Sequence, residues 1–223
     1  MNPARIFLVD DHPLVRHGMR QLVEGEPDLT VCGEADSIQH TLNMLNTIVP
    51  DLIIIDLSLP DGNGLELIKH VHARFPLLSI LVSSMHDESM FAERALKLGA
   101  KGYISKSADG DEMLLAIKRI LSGKLYISQK LSEQLAQNDT HSENSDELSP
   151  VNLLSNRELE VFELIGRGLA TGEIASNLNL SIKTIETHRA NIKKKLGLVN
   201  AGELTRRAIQ WSLESNHLQG IQI

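Results

Sequence analysis

Short apolar runs alternate with longer amphipathic stretches over residues 1–122. The runs are Ile6-Phe7-Leu8-Val9, the segment around Val31, Leu52-Ile53-Ile54-Ile55, Ile80-Leu81-Val82 and Tyr103-Ile104. They are rich in branched side chains and lack polar alternation, as strands do when both faces of a parallel sheet are covered. Between them, Val15, Met19, Leu22 and Val23, and later Leu65, Ile68, Val71 and Phe75, recur at helical spacing. Five βα units with short connections predict an α/β doubly wound five-stranded parallel sheet. Functional groups of such a sheet collect at the carboxyl ends of its strands.

From about Ser122 the rhythm weakens. A short helix is expected from Gln129 to Ala136. The segment Asn138 to Glu147 then carries no apolar side chain and reads as a flexible acidic linker. Periodicity resumes at Leu153 and is wholly helical. Residues 1–122 are therefore expected to form one domain, 123–152 a connector, 153–214 a second, all-α domain of four helices, and 215–223 a tail.

Composition fits this division. The chain has 223 residues, enough for two domains, with 42% hydrophobic and 23% charged residues. No apolar run approaches the ~20 residues of a membrane span. A single cysteine, Cys32, offers neither a disulfide nor a metal framework, so a reduced cytoplasmic setting is expected. The net charge of −7 is unevenly spread: −4 over residues 1–130, −5 over 131–150 and +2 over 151–223. An acidic body, an acidic connector and a mildly basic end suggest separate tasks.

Chemistry collects at the strand ends. Asp10 and Asp11 follow the first strand, Asp56 ends the third, Ser84 follows the fourth and Lys106 the fifth. A doubly wound sheet opens all of these on one edge. Three carboxylates held together favour a divalent cation, and oxygen-only ligands suit Mg²⁺. Asp56, ending the most apolar strand, is the expected nucleophile toward phosphorus, with the metal and Lys106 neutralising the transferred oxygens. Taken singly, Asp10, Asp11 or Asp61 reads as a helix N-cap, Ser84 as a turn residue and Lys106 as a solvated charge. Their joint placement gives them weight. Leu59-Pro60-Asp61-Gly62-Asn63-Gly64 has the composition of a structured loop closing over the site.

With these pieces in view, residues 4–122 resemble the receiver domain of two-component response regulators. The matching segments are Leu8-Val9-Asp10-Asp11-His12-Pro13, Asp51 to Asp56, Leu59 to Gly64, and Gly102-Tyr103-Ile104-Ser105-Lys106. The resemblance implies a flavodoxin-like strand order 2-1-3-4-5 and phosphorylation of Asp56 by a histidine kinase. It implies Asp11, Asp56 and the Ser58 carbonyl as metal ligands, with Asp10 acting through water. It makes Ser84 and Tyr103 the switch pair, and Ser58 and His86 the residues that set phosphate lifetime. Many receivers carry Pro after the active-site lysine; Ser107 stands there in this chain.

In the second domain, Ser155-Asn156-Arg157-Glu158 is a capping box opening a helix, and Gly168 stops it. Thr171 to Asn177 supplies a second helix, Leu178 to Ser181 a tight turn, and Ser181 caps a third helix ended by Gly197. That is a helix-turn-helix outline. On the third helix Ile185, Ile192 and Leu196 fall within about 40° and should be buried. Opposite lie Lys183, Thr187, Ala190 and Lys194, flanked by Glu186 and Asn191, a surface fit for a major groove. Glu186 and Asn191 suit cytosine and adenine edges; Lys183, Arg189 and Lys194 suit phosphates. Charge alone would equally describe a solvated helix face.

Leu154 to Glu158, Glu173-Ile174-Ala175, Ser181 to His188 and Lys195-Leu196-Gly197 resemble the LuxR-type output domain of NarL/FixJ-class response regulators. That resemblance adds Thr184 to the DNA-facing residues and makes His188 a structural or phosphate-contacting one. It also implies a homodimer on promoter DNA, formed through the last helix, Ala201 to Leu213. RNA polymerase is a further partner it allows. Two readings compete at this stage. A haloacid-dehalogenase-type phosphatase would place one residue between its two aspartates, whereas Asp10 and Asp11 are adjacent. A receiver that is never phosphorylated would act as a constitutive interaction module.

Overall fold

In a computed structural model, residues 2–86, 88–128, 131–132 and 150–217 are described. The chain divides into two compact units, Met1–Thr140 and His141–Ile223.

In the first unit, β1 (Ala4–Val9), β2 (Leu29–Ala35), β3 (Leu52–Ile55), β6 (Ser79–Ser84) and β7 (Gly102–Ser105) form one sheet. Its order is β2-β1-β3-β6-β7, and every neighbouring pair is parallel. Counting the sheet strands alone, this is the expected 2-1-3-4-5. Between β3 and β6 lies a two-strand antiparallel hairpin, β4 (Ser58–Leu59) and β5 (Gly62–Asn63), which the apolar pattern did not announce.

The helices are α1 (Pro13–Glu24), α2 (Ile38–Met44), α3 (Gly64–Arg74), α4 (Glu88–Lys97) and α5 (Gly110–Leu121). Period-two alternation explains the core: Ile6, Leu8, Leu52, Ile54, Leu81 and Ile104 cluster with Val23 of α1 and with Met113, Ala116, Ile117 and Ile120 of α5. The alternate positions Phe7, Ile53, Ile55, Ile80 and Val82 are also fully buried and face the other side. Burial on both faces is why the strands read as unbroken apolar runs.

Register places the site. Val9 pairs with Ile55, Ile55 with Val82, and Ser84 with Ser105, so the carboxyl ends of β1, β3, β6 and β7 finish on one edge. Beyond α5, Tyr126 forms a parallel bridge with Gly102 outside β7. Leu131 and Ser132 are helical; the rest of the helix expected over Gln129–Ala136, and the expected linker 138–147, lie outside the described residues.

The second unit opens with a 3₁₀ turn, Pro150–Leu153, followed by α6 (Asn156–Gly166), α7 (Thr171–Asn177), α8 (Ile182–Leu196) and α9 (Ala201–His217). Each boundary has its local cause. Ser155 and Glu158 form the capping box of α6, Ser181 accepts from the Thr184 amide at the start of α8, and Gly197 ends α8 in the left-handed conformation, φ 66°. Gly166 lets α9 approach closely, because a Cβ there would lie 2.6 Å from the Ala208 carbonyl oxygen. The Phe162 and Trp211 rings meet at 5.1 Å across the same pair of helices.

Candidate functional site

Asp10 and Asp11 continue β1, and Asp56 follows β3 directly; its amide donates to the Val9 carbonyl at 2.8 Å, locking the two strand ends together. Asp56 and Asp10 are almost wholly buried, at 1% and 2% exposure. Lys106, after β7, places its Nζ 2.7 Å from Asp10 Oδ2 and 2.7 Å from Asp56 Oδ2. The lysine bridges two of the three carboxylates.

Burial pushes the Asp56 carboxyl above its ordinary range, and the Lys106 charge only partly offsets this. Burial acts to lower Lys106, but Asp56 and Asp10 outweigh it and hold the ammonium above its usual value. Three carboxylates against one ammonium leave roughly two negative charges in a poorly solvated corner, matching a divalent cation. Asp56 Oδ1 is buried with no hydrogen-bond partner, which fits a position kept for such a cation.

The cluster also holds a residue that the sequence did not single out as a site residue. One ligand atom each from Asp10, Asp11, His12 and Asp56 lies within 4.8 Å of the others. His12 Nδ1 is 2.5 Å from Asp11 Oδ1 and its backbone amide donates to Asp10 Oδ1 at 2.8 Å. None of the expected aspartates is the side-chain cap of the helix that follows it. His12 is the N-cap of α1 without a side-chain bond, and Asn63 caps α3.

The remaining receiver residues converge on the same edge. Ser84 is fully buried and its Oγ accepts from the His86 amide at 3.1 Å. Ser58 Oγ and His86 Nε2 are 3.1 Å apart, although 28 positions separate them in sequence. The Tyr103 ring is buried and its hydroxyl donates to the His86 carbonyl at 2.8 Å. After Lys106, where Pro is common, Ser107 donates its amide to Ser105 Oγ at 3.2 Å and closes the turn.

In the second unit, α7, a turn containing Asn179 (φ 51°) and α8 make the helix-turn-helix. Ile185 and Ile192 are buried as expected, and Leu196 is half-buried. Lys183, Glu186, Thr187, Ala190, Asn191 and Lys194 are exposed, while Thr184 and Arg189 are half-buried. The Thr184 hydroxyl lies 2.8 Å from Ser181 Oγ at the cap, so it is partly engaged by its own helix. Lys195 pairs with Glu158 at 2.6 Å, whereas Lys194 is exposed on the outer face. Burial lowers the His188 imidazole below its ordinary value, and the nearby Arg157 charge adds to the effect.

A buried acid–lysine cluster on a parallel sheet edge, joined to a helix-turn-helix, defines a signal-receiving and DNA-binding class of protein. Residues 6–118 match the response regulator receiver domain family, and residues 152–208 match the luxR family of bacterial regulatory proteins. The chain belongs to the response regulators with a LuxR-type output domain. Oxygen regulatory protein NreC of Staphylococcus haemolyticus (strain JCSC1435) is 34% identical over 213 residues, covering 94% of this chain and 98% of that protein. RcsB of Salmonella enterica serovar Typhimurium, bound to promoter P1flhDC with the phosphomimetic BeF₃⁻, superposes with a TM-score of 0.61 at 29% identity, covering 93% of this chain and 98% of that one. A structure of two RcsB dimers on two parallel DNAs gives 0.56 at 29% identity, over 96% and 99% of the two chains. Among the described residues no helix is long and apolar enough to cross a membrane.

Proposed function

We propose that this regulator is switched by phosphorylation of Asp56 and acts as a dimer on promoter DNA. The bridge from Lys106 to both Asp10 and Asp56, beside the unpartnered Asp56 Oδ1, carries this reading. A carboxylate oxygen of Asp56 attacks the phosphorus of a phosphohistidine on a histidine kinase. The new O–P bond forms as the P–N bond breaks, and the imidazole leaves with a proton from solvent. Lys106 neutralises one equatorial oxygen of the transferred group.

Asp11, Asp56 and the Ser58 carbonyl would hold Mg²⁺, with Asp10 reaching it through water. The ion supplies charge neutralisation to the phosphoryl oxygens. Ser84 then donates to a phosphoryl oxygen, and Tyr103, bonded to the His86 carbonyl, reports that movement along β7. Ser58 and His86, already in hydrogen-bond contact, flank the path of hydrolytic water and set phosphate lifetime. The chain takes and loses a phosphoryl group without turning over a metabolite.

Lys183, Arg189 and Lys194 contact phosphates, with Thr184 and Thr187 beside them, while Glu186, Ala190 and Asn191 face base edges. RcsB's dimers on DNA support a twofold-related pair of output domains, and pairing two modest DNA modules raises affinity through effective concentration. RNA polymerase is the partner through which a promoter-bound regulator of this kind acts, in the cytoplasm.

The test is phosphorylation of the full chain by acetyl phosphate with Mg²⁺, read by intact mass and followed by DNA binding of the same sample. One added phosphate, absent in Asp56→Ala and accompanied by tighter DNA binding, is the expected result. No adduct, or an adduct that persists in Asp56→Ala, overturns the assignment.

A further inference from the structure

We infer that Asp61 is a positioning residue for the phosphoacceptor loop, tying the hairpin that carries Ser58 to the start of α2. The inference rests on the reading of Asp56 and Ser58 given above. From Asp56 the chain turns out through β4, back through β5 and into α3. Its inner end is closed tightly: the Gly64 amide donates to the Leu57 carbonyl at 2.8 Å. A Cβ on Gly64 would lie 2.2 Å from the Asp56 carbonyl oxygen, so only glycine fits. Asn63 is buried and accepts from the Leu65 amide at 2.7 Å.

The outer end is held by Asp61. Its Oδ1 accepts from the Ile38 amide at 2.8 Å and its Oδ2 from the Gln39 amide at 2.9 Å. These are the first amides of α2, which have no acceptor within their own helix, and a carboxylate bonded to both is charge-assisted. Packing reports the same approach independently. A Cβ on Gly62 would lie 2.7 Å from Ile38 Cδ1, so the hairpin tip abuts α2 directly. Asp61 itself is exposed and is no part of the acidic cluster. Between the two anchors sits Ser58, whose carbonyl is the proposed ligand and whose hydroxyl meets His86. With Asp61 removed, the hairpin keeps its inner anchors but its tip loses the charge-assisted tie to α2, and the Ser58 carbonyl is held less firmly.

Calorimetric titration of the full chain with Mg²⁺ tests this, using wild type, Asp61→Ala, Asp61→Asn and Ser37→Ala. Ser37 caps α2 by accepting from the His40 amide, so Ser37→Ala weakens the same helix without touching the hairpin. Asp61→Ala should bind Mg²⁺ roughly tenfold more weakly, as loss of an outer supporting partner does at other metal sites. Asp61→Asn, which keeps one carbonyl acceptor, should fall between, and serves if the alanine variant does not fold. Ser37→Ala should match wild type. Equal Mg²⁺ affinity in wild type and Asp61→Ala, or equal losses in Asp61→Ala and Ser37→Ala, overturns the positioning role alone. A wild type that takes up neither Mg²⁺ nor a phosphoryl group overturns the site assignment, and the positioning role with it.

Discussion

The Tyr103 amide donates to the Tyr126 carbonyl at 2.9 Å, and the Tyr126 amide returns a bond to the Lys101 carbonyl at 3.0 Å. The segment after α5 thereby covers the outer edge of β7, which would otherwise present unpaired backbone groups. Glycine makes this possible: a Cβ on Gly102 would lie 2.7 Å from the Tyr126 carbonyl oxygen. The Tyr126 hydroxyl donates to Glu112 at 3.0 Å, and burial together with that carboxylate pushes it up to about 12.

Gly102→Val should therefore displace the segment. Two backbone hydrogen bonds are lost, a cost of about 1–3 kcal/mol at 0.5–1.5 each. Urea denaturation reads the loss, and amide exchange at Tyr103 and Tyr126 locates it. Unchanged protection at both amides would show that the edge does not depend on this pairing.

Breaking the Lys106 bridge has a larger expected effect. Lys106→Met strands Asp10 and Asp56 as buried charges, which costs about 3–5 kcal/mol when one partner of a buried pair is removed. The sign with pH is fixed by the carboxyls. Burial already holds the Asp56 carboxyl above its ordinary value, and without the ammonium nothing offsets this, so the variant regains stability as pH falls and Asp56 protonates. Thermal melts of both proteins between pH 7 and pH 5 should show the gap narrowing. A gap that stays constant counts against the bridge as its cause.

Mg²⁺ should stabilise the chain through the same cluster. At one hundred times its Kd a ligand binding only the folded state adds about 2.7 kcal/mol. Asp11→Ala should abolish this Mg²⁺-dependent rise in Tm while leaving the metal-free chain folded, since Asp11 is only half-buried. A full Mg²⁺ response in Asp11→Ala would remove it from the ligand set.

The second unit has its own acid sensitivity. Burial would raise Glu158, but Lys195 and the Ser155 amide and hydroxyl outweigh it and hold the carboxyl below its usual 4.5. A depressed folded pKa gives stability that is present above the unfolded value and is lost as pH falls through the folded one. Glu158→Gln keeps the cap's acceptor but not the Lys195 pair, and should cost about 1 kcal/mol at pH 7 with a flatter acid limb. His188 acts in a higher window. Its folded value lies below the ordinary 6.5, so stability falls as pH drops from 6.5 toward that value, and His188→Gln should remove this part of the curve. Urea unfolding from pH 7.5 to 4 separates the two.

The sheet and its edge were legible because parallel strands covered on both faces write themselves as unbroken apolar runs, and four of the five runs ended in a group with chemistry. The capping residues Ser155, Ser181 and Gly197 were legible for the same reason, since each signal is local. His12 and Asp61 were not. His12 stood in the sequence only as one member of the segment Leu8 to Pro13, and it is the fold of that segment that brings its ring to Asp11. Asp61 read as a local cap, whereas its partners are Ile38 and Gln39, more than twenty positions upstream. The β4–β5 hairpin is too short for any periodicity. Tyr126 carries no alternating pattern that would mark an edge strand.

The outer face of α8 gives the last prediction. Lys183 and Lys194 are exposed, and the Thr187 hydroxyl is tied to the Lys183 carbonyl at 3.0 Å, so these side chains project from a regular helix. Each lysine that neutralises a DNA phosphate contributes about 0.9 to the slope of log K against log salt. Lys183→Ala and Lys194→Ala should each weaken binding to all sequences alike and reduce that slope by about 1. Asn191→Ala and Glu186→Ala should leave the slope unaltered but relax preference at one position each, by about 1–3 kcal/mol. Binding measured over a salt series, on a target site and on single-base variants of it, distinguishes the two kinds of contact. A lysine variant that changes base preference, or an Asn191 variant that changes only the slope, would exchange their assigned roles.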